Sequence, residues 1–97
     1  MKRVASIYKT PNDATQALKS LLGELKDRDI THKVDKARNS LEWNNRTIHF
    51  ICEDRIDYMR GLYWDYALIH ADIPGKLVQD VIEPTLWVKG GKLKVRR

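Results

Sequence analysis

The chain has 97 residues, of which 18 are basic and 13 acidic, and a formal net charge of +5. This length gives room for one compact domain, and 42% hydrophobic and 32% charged residues are typical of a folded globular protein. The sequence excludes a membrane helix, because its apolar runs are far shorter than the ~20 residues required. Cys52 is the one cysteine, which excludes an internal disulfide and fits a reducing compartment such as the cytoplasm.

The charge is unevenly distributed along the chain. Residues 1–52 carry ten basic and six acidic side chains, residues 53–87 three and seven, and residues 88–97 five and none. Basic ends attract polyanions at long range, so we predict that nucleic acid binds there. A solvated tail that only keeps the domain soluble would have the same composition. The residues predicted to contact nucleic acid are Lys2, Arg3, Arg60, Lys89, Lys92, Lys94, Arg96 and Arg97.

The first elements are a strand and a helix. Residues 3–8 alternate and include β-branched side chains, which predicts a strand. Pro11 is typical of a first helical turn, and Asn12 or Asp13 is the predicted cap. Apolar residues then recur at spacings of three and four, which predicts an amphipathic helix over about residues 12–28.

Several strands follow the helix. Residues 30–35 alternate irregularly, and residues 40–52 predict a β-hairpin that turns at Asn44 and Asn45. Residues 66–70 form a continuous apolar run of strand length, as in a buried parallel strand.

The remaining segments complete the pattern. Residues 54–61 predict a loop or a single helical turn, and a second helix follows, which Pro84 is expected to stop. Leu93 and Val95 mark a last strand. The order β-α-β-β-β-β-α-β predicts one α/β domain over residues 1–97, with a mixed sheet, a β-hairpin, two main helices and a basic segment at 88–97.

A set of short motifs in this order resembles the ATPase domain of phage terminase large subunits, the motors that pump DNA into capsids. The resemblance extends from about Val4 to Lys94 and implies part of a P-loop ATPase core. The matching segments are Ile7–Pro11, the Gln16-Ala17 pair, the hairpin ending in Ile48-His49-Phe50, Asp57-x-x-Arg60-Gly61, Asp65–Ile69, Pro84-Thr85-Leu86 and Gly91-Lys92.

The departures from that family concern its chemistry. Its phosphate-binding loop would precede Val4, and no such motif occurs in the chain. Its acidic pair, which holds Mg²⁺ and orients water, would fall on His70 and Ala71, with Asp72 two positions past the expected metal ligand. The resemblance therefore implies an ATPase-like shape without ATP hydrolysis, and we expect no cofactor and no catalytic residues.

Other candidate chemistry is weaker. His49 and Cys52 have a metal-like spacing but point to opposite faces of a strand, so we predict no metal site. His70 and Asp72 could form an acid–base pair, although Asp72 as a helix cap explains the same residues. The acidic residues between 53 and 72 could serve a nuclease, but solvation explains them equally well.

Aromatic residues cluster before the buried strand. Such side chains stack on bases or mark protein interfaces, and in a chain with three tryptophans we expect at least one in the core. The predicted interface residues are Tyr63, Trp64, Tyr66 and Trp87.

These observations predict a non-catalytic, phage-type protein that binds nucleic acid through its basic ends. The alternative is a protein-interaction module that docks on a host or phage nucleic-acid motor and regulates or inhibits it, and a residual ATPase or nuclease is the third hypothesis. No membrane partner is expected, and an exposed sheet edge would also allow a homodimer.

Overall fold

The computed structural model describes residues 2–70, 73–87 and 90–95. The predicted order of elements is confirmed. The elements are β1 (Lys2–Tyr8), α1 (Pro11–Asp27), β2 (Lys33–Asp35), β3 (Ser40–Trp43), β4 (Arg46–Cys52), a 3₁₀-helical segment (Glu53–Gly61), β5 (Tyr66–Ile69), α2 (Gly75–Leu77), a π-helical turn (Val78–Ile82), α3 (Glu83–Trp87) and β6 (Lys92–Val95). No helix in these described ranges is long and apolar enough to cross a bilayer.

The six strands form one mixed sheet in the order β2-β3-β4-β1-β5-β6. β1 pairs in parallel with both β4 and β5, and β5 pairs in parallel with β6, whereas β2, β3 and β4 are antiparallel. The predicted hairpin is confirmed. Its turn residues Asn44 and Asn45 have φ angles of 48° and 62°, a left-handed conformation that Asn tolerates and that two-residue hairpin turns require.

The sheet has a helical layer on each face. On the first, which we call the α1 face, α1 packs against β4, β1 and β3, and buried Leu18 and Leu25 meet Leu41 and Phe50. On the opposite face, the 3₁₀-helical segment and the π-helical turn enclose a second cluster around Trp64. Since side chains alternate along a strand, the neighbours Ile7, Ile51 and Ile69 belong to the opposite face.

The start of α1 corrects one prediction. Thr10, not Asn12 or Asp13, is the N-cap, and its Oγ1 accepts a hydrogen bond from the backbone N–H of Asp13 at 3.1 Å. The reason is Pro11, which occupies the first helical turn because its missing N–H has no partner to lose there. The cap therefore falls on the residue before it.

Pro84 does not stop the second helical stretch, as predicted, because the chain stays helical from Gly75 to Trp87. The junction residues Leu77, Val78 and Glu83 all keep right-handed helical angles. A proline inside a helix removes one hydrogen bond and crowds the carbonyl four residues earlier. The wider π-helical turn directly before Pro84 relaxes that contact, as π-bulges in helices do.

Candidate nucleic-acid interface

A basic cavity lies on the opposite face of the sheet, over β2, β3, β4 and β1. Its volume is about 510 Å³. We call it the basic trough and define it by its charged lining, which comprises five cations against two carboxylates: Lys2, Arg3, Lys33, Lys36 and Arg38 with Asp35 and Glu42. A concave surface with this excess of one sign concentrates its field on an anionic ligand.

Strand register explains how the trough forms. One row of neighbours crosses four strands from Lys33 to Glu42, Thr47 and Arg3. Two positions further along, the next row on the same face runs from Asp35 to Ser40, His49 and Ala5. Since residues two apart on a strand share a face, these two rows form the wall and floor of the trough.

Arg3 is held in a fixed position at one end of the trough. Its Nη1 donates a hydrogen bond to the carbonyl of Tyr63 at 3.0 Å, and its guanidinium carbon lies 5.9 Å from the centre of the Trp64 ring. Cation–π contact of this kind stabilises a charge that is partly withdrawn from water. Arg3 thus joins β1 to the loop before β5 and also contributes positive charge to the trough.

His49 lies at the floor of the trough with 3% of its surface exposed. Its Nδ1 is 3.1 Å from the Tyr58 hydroxyl, and its ring meets the Trp64 ring edge-on at 4.9 Å. Burial lowers the pKa of His49 from 6.5 to about 4, with further lowering by the positive charges of Arg3 and Arg38. His49 is therefore neutral at physiological pH, and its low pKa reflects the positive potential around it.

The turn between β2 and β3 carries Lys36 and Arg38 along one side of the trough. Asp35 shapes this turn, because its carboxylate accepts the backbone N–H of Arg38 at 3.1 Å and lies 3.8 Å from the Arg38 Nε. Asn39, with a φ of 49°, fastens the turn to β4 through two hydrogen bonds with the main chain of Phe50, both at 2.9 Å.

A second cavity, of about 600 Å³, lies on the other side of this turn. We call it the side cavity. The pairing of β3 with β4 ends at His49, so Phe50, Ile51 and Cys52 continue along the cavity beyond β3. The remaining lining comes from the first turns of α1, the turn between β2 and β3, and the 3₁₀-helical segment: Pro11, Ala14, Thr15, Lys36, Ala37, Arg38, Asn39, Arg55 and Tyr58.

The predicted basic residues occupy different places. Lys2 and Arg3 line the trough. Lys92 and Lys94 are exposed on the edge strand β6, and alternation with Leu93, which packs against the Trp64 cluster, puts them on the α1 face. Arg60 is exposed and paired with Asp57 at 2.9 Å. Lys89, Arg96 and Arg97 lie outside the described residues.

The predicted aromatic interface also divides. Trp64 is fully buried and its Nε1 donates to the Met59 carbonyl at 3.2 Å, so it is a core tryptophan, as expected of at least one. It cannot reach a partner without opening the core. Tyr63 is 53% exposed, and Tyr66 is half-buried in β5. The side chain of Trp87 lies outside the described residues.

His70 follows β5 directly. Its backbone N–H donates to the carbonyl of Ile7 at 2.9 Å, and its ring stacks on Tyr8 at 4.7 Å with the planes 3° apart. Ala71 and Asp72, and with them the expected cap, lie outside the described residues. The described part of the chain holds no group of three or more His, Cys, Asp or Glu that could bind a metal.

Three cations of the trough were not predicted as binding residues: Lys33, Lys36 and Arg38. The signal for them was the positive excess of residues 1–52, which is spread over half the chain. Only the register of β2 against β3, and of β4 against β1, brings these side chains near Arg3.

Comparison with solved structures identifies the fold. The ATPase domain of the large terminase of Thermus phage P74-26 superimposes with a TM-score of 0.75 and 19% identity, covering 98% of this chain and 47% of that one. A mutant of the same domain gives 0.76 and 18%. The large terminase of another thermophilic bacteriophage, in complex with ADP, gives 0.70 and 20%, covering 98% of this chain and 25% of that one.

The fold is that of a large-terminase ATPase domain. The predicted α/β architecture and the resemblance are thus confirmed at the level of fold. The chain spans less than half the length of each of these terminase structures. No protein-family profile and no curated protein sequence matches it.

Proposed function

We propose that this terminase-like protein binds nucleic acid, without catalysis, through the basic trough. The observation that carries the proposal is the convergence of Lys2, Arg3, Lys33, Lys36 and Arg38 on one concave surface. Phosphate contacts from Lys and Arg supply most of the affinity of such proteins, and they weaken as salt rises. Glu42 and Asp35 offset part of this charge and leave a net positive surface.

The proposal moves the main contacts from the ends of the chain to the sheet. Lys92 and Lys94 lie on β6, which is separated from β1 by β5, a distance of about 10 Å across the sheet. They also project from the α1 face, whereas the trough is on the opposite face. We therefore assign the tail an auxiliary electrostatic role that raises the rate of encounter.

The absence of catalysis rests on the sequence. In the resemblance to terminases, His70 and Ala71 stand where an acidic pair would hold Mg²⁺, and the imidazole of His70 is stacked on Tyr8. A neutral imidazole does not replace a carboxylate as a magnesium ligand. We expect no ATP turnover by this chain.

Fluorescence anisotropy with a labelled oligonucleotide tests the proposal. Lys33→Gln/Lys36→Gln removes two trough charges, and Lys19→Gln/Lys26→Gln removes two exposed charges from α1 as a matched control. At about 50 mM salt we expect the trough pair to weaken binding about tenfold and the control pair less than twofold. No binding at low salt, or equal losses in both variants, would overturn the proposal.

The second candidate is docking on a partner protein, and the open edge of β6 favours it. An edge strand offers main-chain groups to a strand of another chain, and Lys92 and Lys94 on β6 are exposed. An acidic strand would complement them. This candidate predicts that a synthetic acidic peptide of strand length binds the protein after nuclease treatment and that Lys92→Glu/Lys94→Glu abolishes the binding. Failure of the peptide to bind would exclude it.

A further inference from the structure

We infer that the nucleic acid is single-stranded and that one of its bases enters the side cavity; this inference rests on the proposed function. The two cavities meet at the turn between β2 and β3, because Lys36 and Arg38 line both. A phosphate held by these two cations therefore lies at the mouth of the side cavity. The base attached to the neighbouring sugar lies within reach of the cavity.

The chemistry of the side cavity suits a base. A base has two apolar ring faces and polar edges, and proteins that bind single strands stack its faces on aromatic or Arg side chains. Phe50 and Tyr58 supply rings, Ala14 supplies an apolar surface, and Arg55 supplies a guanidinium plane at the rim. The hydroxyl of Thr15 offers hydrogen bonding to a base edge.

The size and placement of the cavity are also suitable. A volume of about 600 Å³ falls in the range of small-molecule sites. Because β4 extends past the end of β3, the main chain of Ile51 and Cys52 lies along the cavity. Main-chain amides and carbonyls at such an edge can bond the Watson–Crick edge of an inserted base.

The same geometry disfavours a duplex. Bases in a duplex are paired and stacked, so placing one in the side cavity costs a few kcal/mol of unstacking and unpairing. A single strand avoids most of this cost and gains the stacking contact. A duplex would bind through the trough alone, so the inference predicts a preference for single strands that comes from the side cavity.

The experiment compares a single strand of about 12 nucleotides with its duplex, each carrying one 2-aminopurine. For the wild-type protein we expect about tenfold tighter binding of the single strand and a change in 2-aminopurine fluorescence on binding. The exposed Ala37 lies at the cavity mouth. In Ala37→Trp we expect the indole to occupy the cavity, to reduce the preference to within about twofold, and to leave duplex binding unchanged.

Thr31→Trp is the matched control, since Thr31 is exposed and lines neither cavity; it should keep the preference. Equal binding of single strand and duplex by the wild-type protein, with unchanged 2-aminopurine fluorescence, would overturn the inference and leave the proposed function intact. A free deoxynucleoside monophosphate that binds as tightly as the oligonucleotide would also overturn it. Absence of any nucleic-acid binding would instead remove the proposed function itself.

Discussion

Arg3 and Asp65 are joined by a reciprocal pair of hydrogen bonds at the start of two neighbouring strands. The backbone N–H of Arg3 donates to the Asp65 Oδ2 at 2.8 Å, and the backbone N–H of Asp65 donates to the Arg3 carbonyl at 2.9 Å. The first bond satisfies a donor at the end of β1, before the parallel ladder between Val4 and Tyr66 begins. The pair thereby fixes the strand end that holds the Arg3 guanidinium in the trough.

Replacement of Asp65 should therefore destabilise the fold. Asp65→Ala removes a charged acceptor from a half-buried backbone N–H, and such a loss costs about 1.5–3 kcal/mol. The exposed Asp57, whose partner Arg60 is also exposed, provides the control, because Asp57→Ala breaks a surface ion pair worth about 0–1 kcal/mol. Urea unfolding of both variants measures the difference. Equal stability of the two variants would show that the bond between Arg3 and Asp65 contributes nothing.

Gly91 should tolerate no side chain. A Cβ at this position would lie 2.5 Å from the Trp64 carbonyl oxygen and 3.1 Å from that of Asp65, and backbone atoms cannot move aside as a flexible side chain can. We expect Gly91→Ala to destabilise the protein by about 1–3 kcal/mol, as overpacking does. At Gly23, inside α1, an added Cβ meets nothing within 4 Å, so Gly23→Ala should stabilise it by about 0.5–1 kcal/mol. Thermal unfolding of the two alanine variants should thus move in opposite directions, and a Gly91→Ala melting temperature equal to the wild type would contradict the close approach.

Protonation of His49 should weaken the fold at mildly acidic pH. Its pKa is lowered from 6.5 to about 4 in the folded protein, chiefly by burial and then by Arg3 and Arg38. Between these values the unfolded chain binds more protons than the folded one, so stability rises with pH. The contribution is complete above about pH 6.5 and is lost progressively as the pH falls toward 4, with a total on the order of 2 kcal/mol.

The variant His49→Gln isolates this effect. We expect it to be less stable than wild type near neutral pH, because the ring contacts with Tyr58 and Trp64 are lost, but its stability should depend less on pH between 4 and 6.5. His32→Gln is the control and should keep the wild-type slope. Urea unfolding across this pH range measures both, and an unchanged slope in His49→Gln would assign the pH dependence to other groups.

The order of the elements could be predicted from the sequence because it depends on local patterns. Alternation, helical spacing and the Asn44-Asn45 turn are each contained within a few residues. The basic trough could not be predicted, because it depends on pairings between distant segments. Arg3 lies beside Thr47 through a parallel pairing across more than forty positions, and Lys33 joins the same row through a three-residue strand.

Burial was equally hard to predict for residues of mixed character. The position of Trp64 near Tyr63 favoured a surface cluster, but the hydrogen bond from its Nε1 to Met59 satisfies the one polar atom of the indole inside the core. Pro84 was misleading for a similar reason. The π-helical turn that accommodates it involves residues before the proline and leaves no clear mark in the sequence.

The two lysines of β6 distinguish the trough from the basic ends as the main binding surface. Both Lys92→Gln/Lys94→Gln and Lys33→Gln/Lys36→Gln remove two charges, so a purely nonspecific attraction would weaken equally in both. If the trough makes the phosphate contacts, the β6 pair should lower affinity less than about threefold and leave the dependence of log K on log salt nearly unchanged, whereas the trough pair should reduce that slope by about two. Titrations between about 50 and 200 mM salt measure both slopes. A larger loss in the β6 pair would return the main contacts to the end of the chain, because charges on the α1 face cannot share a phosphate with residues of the opposite face.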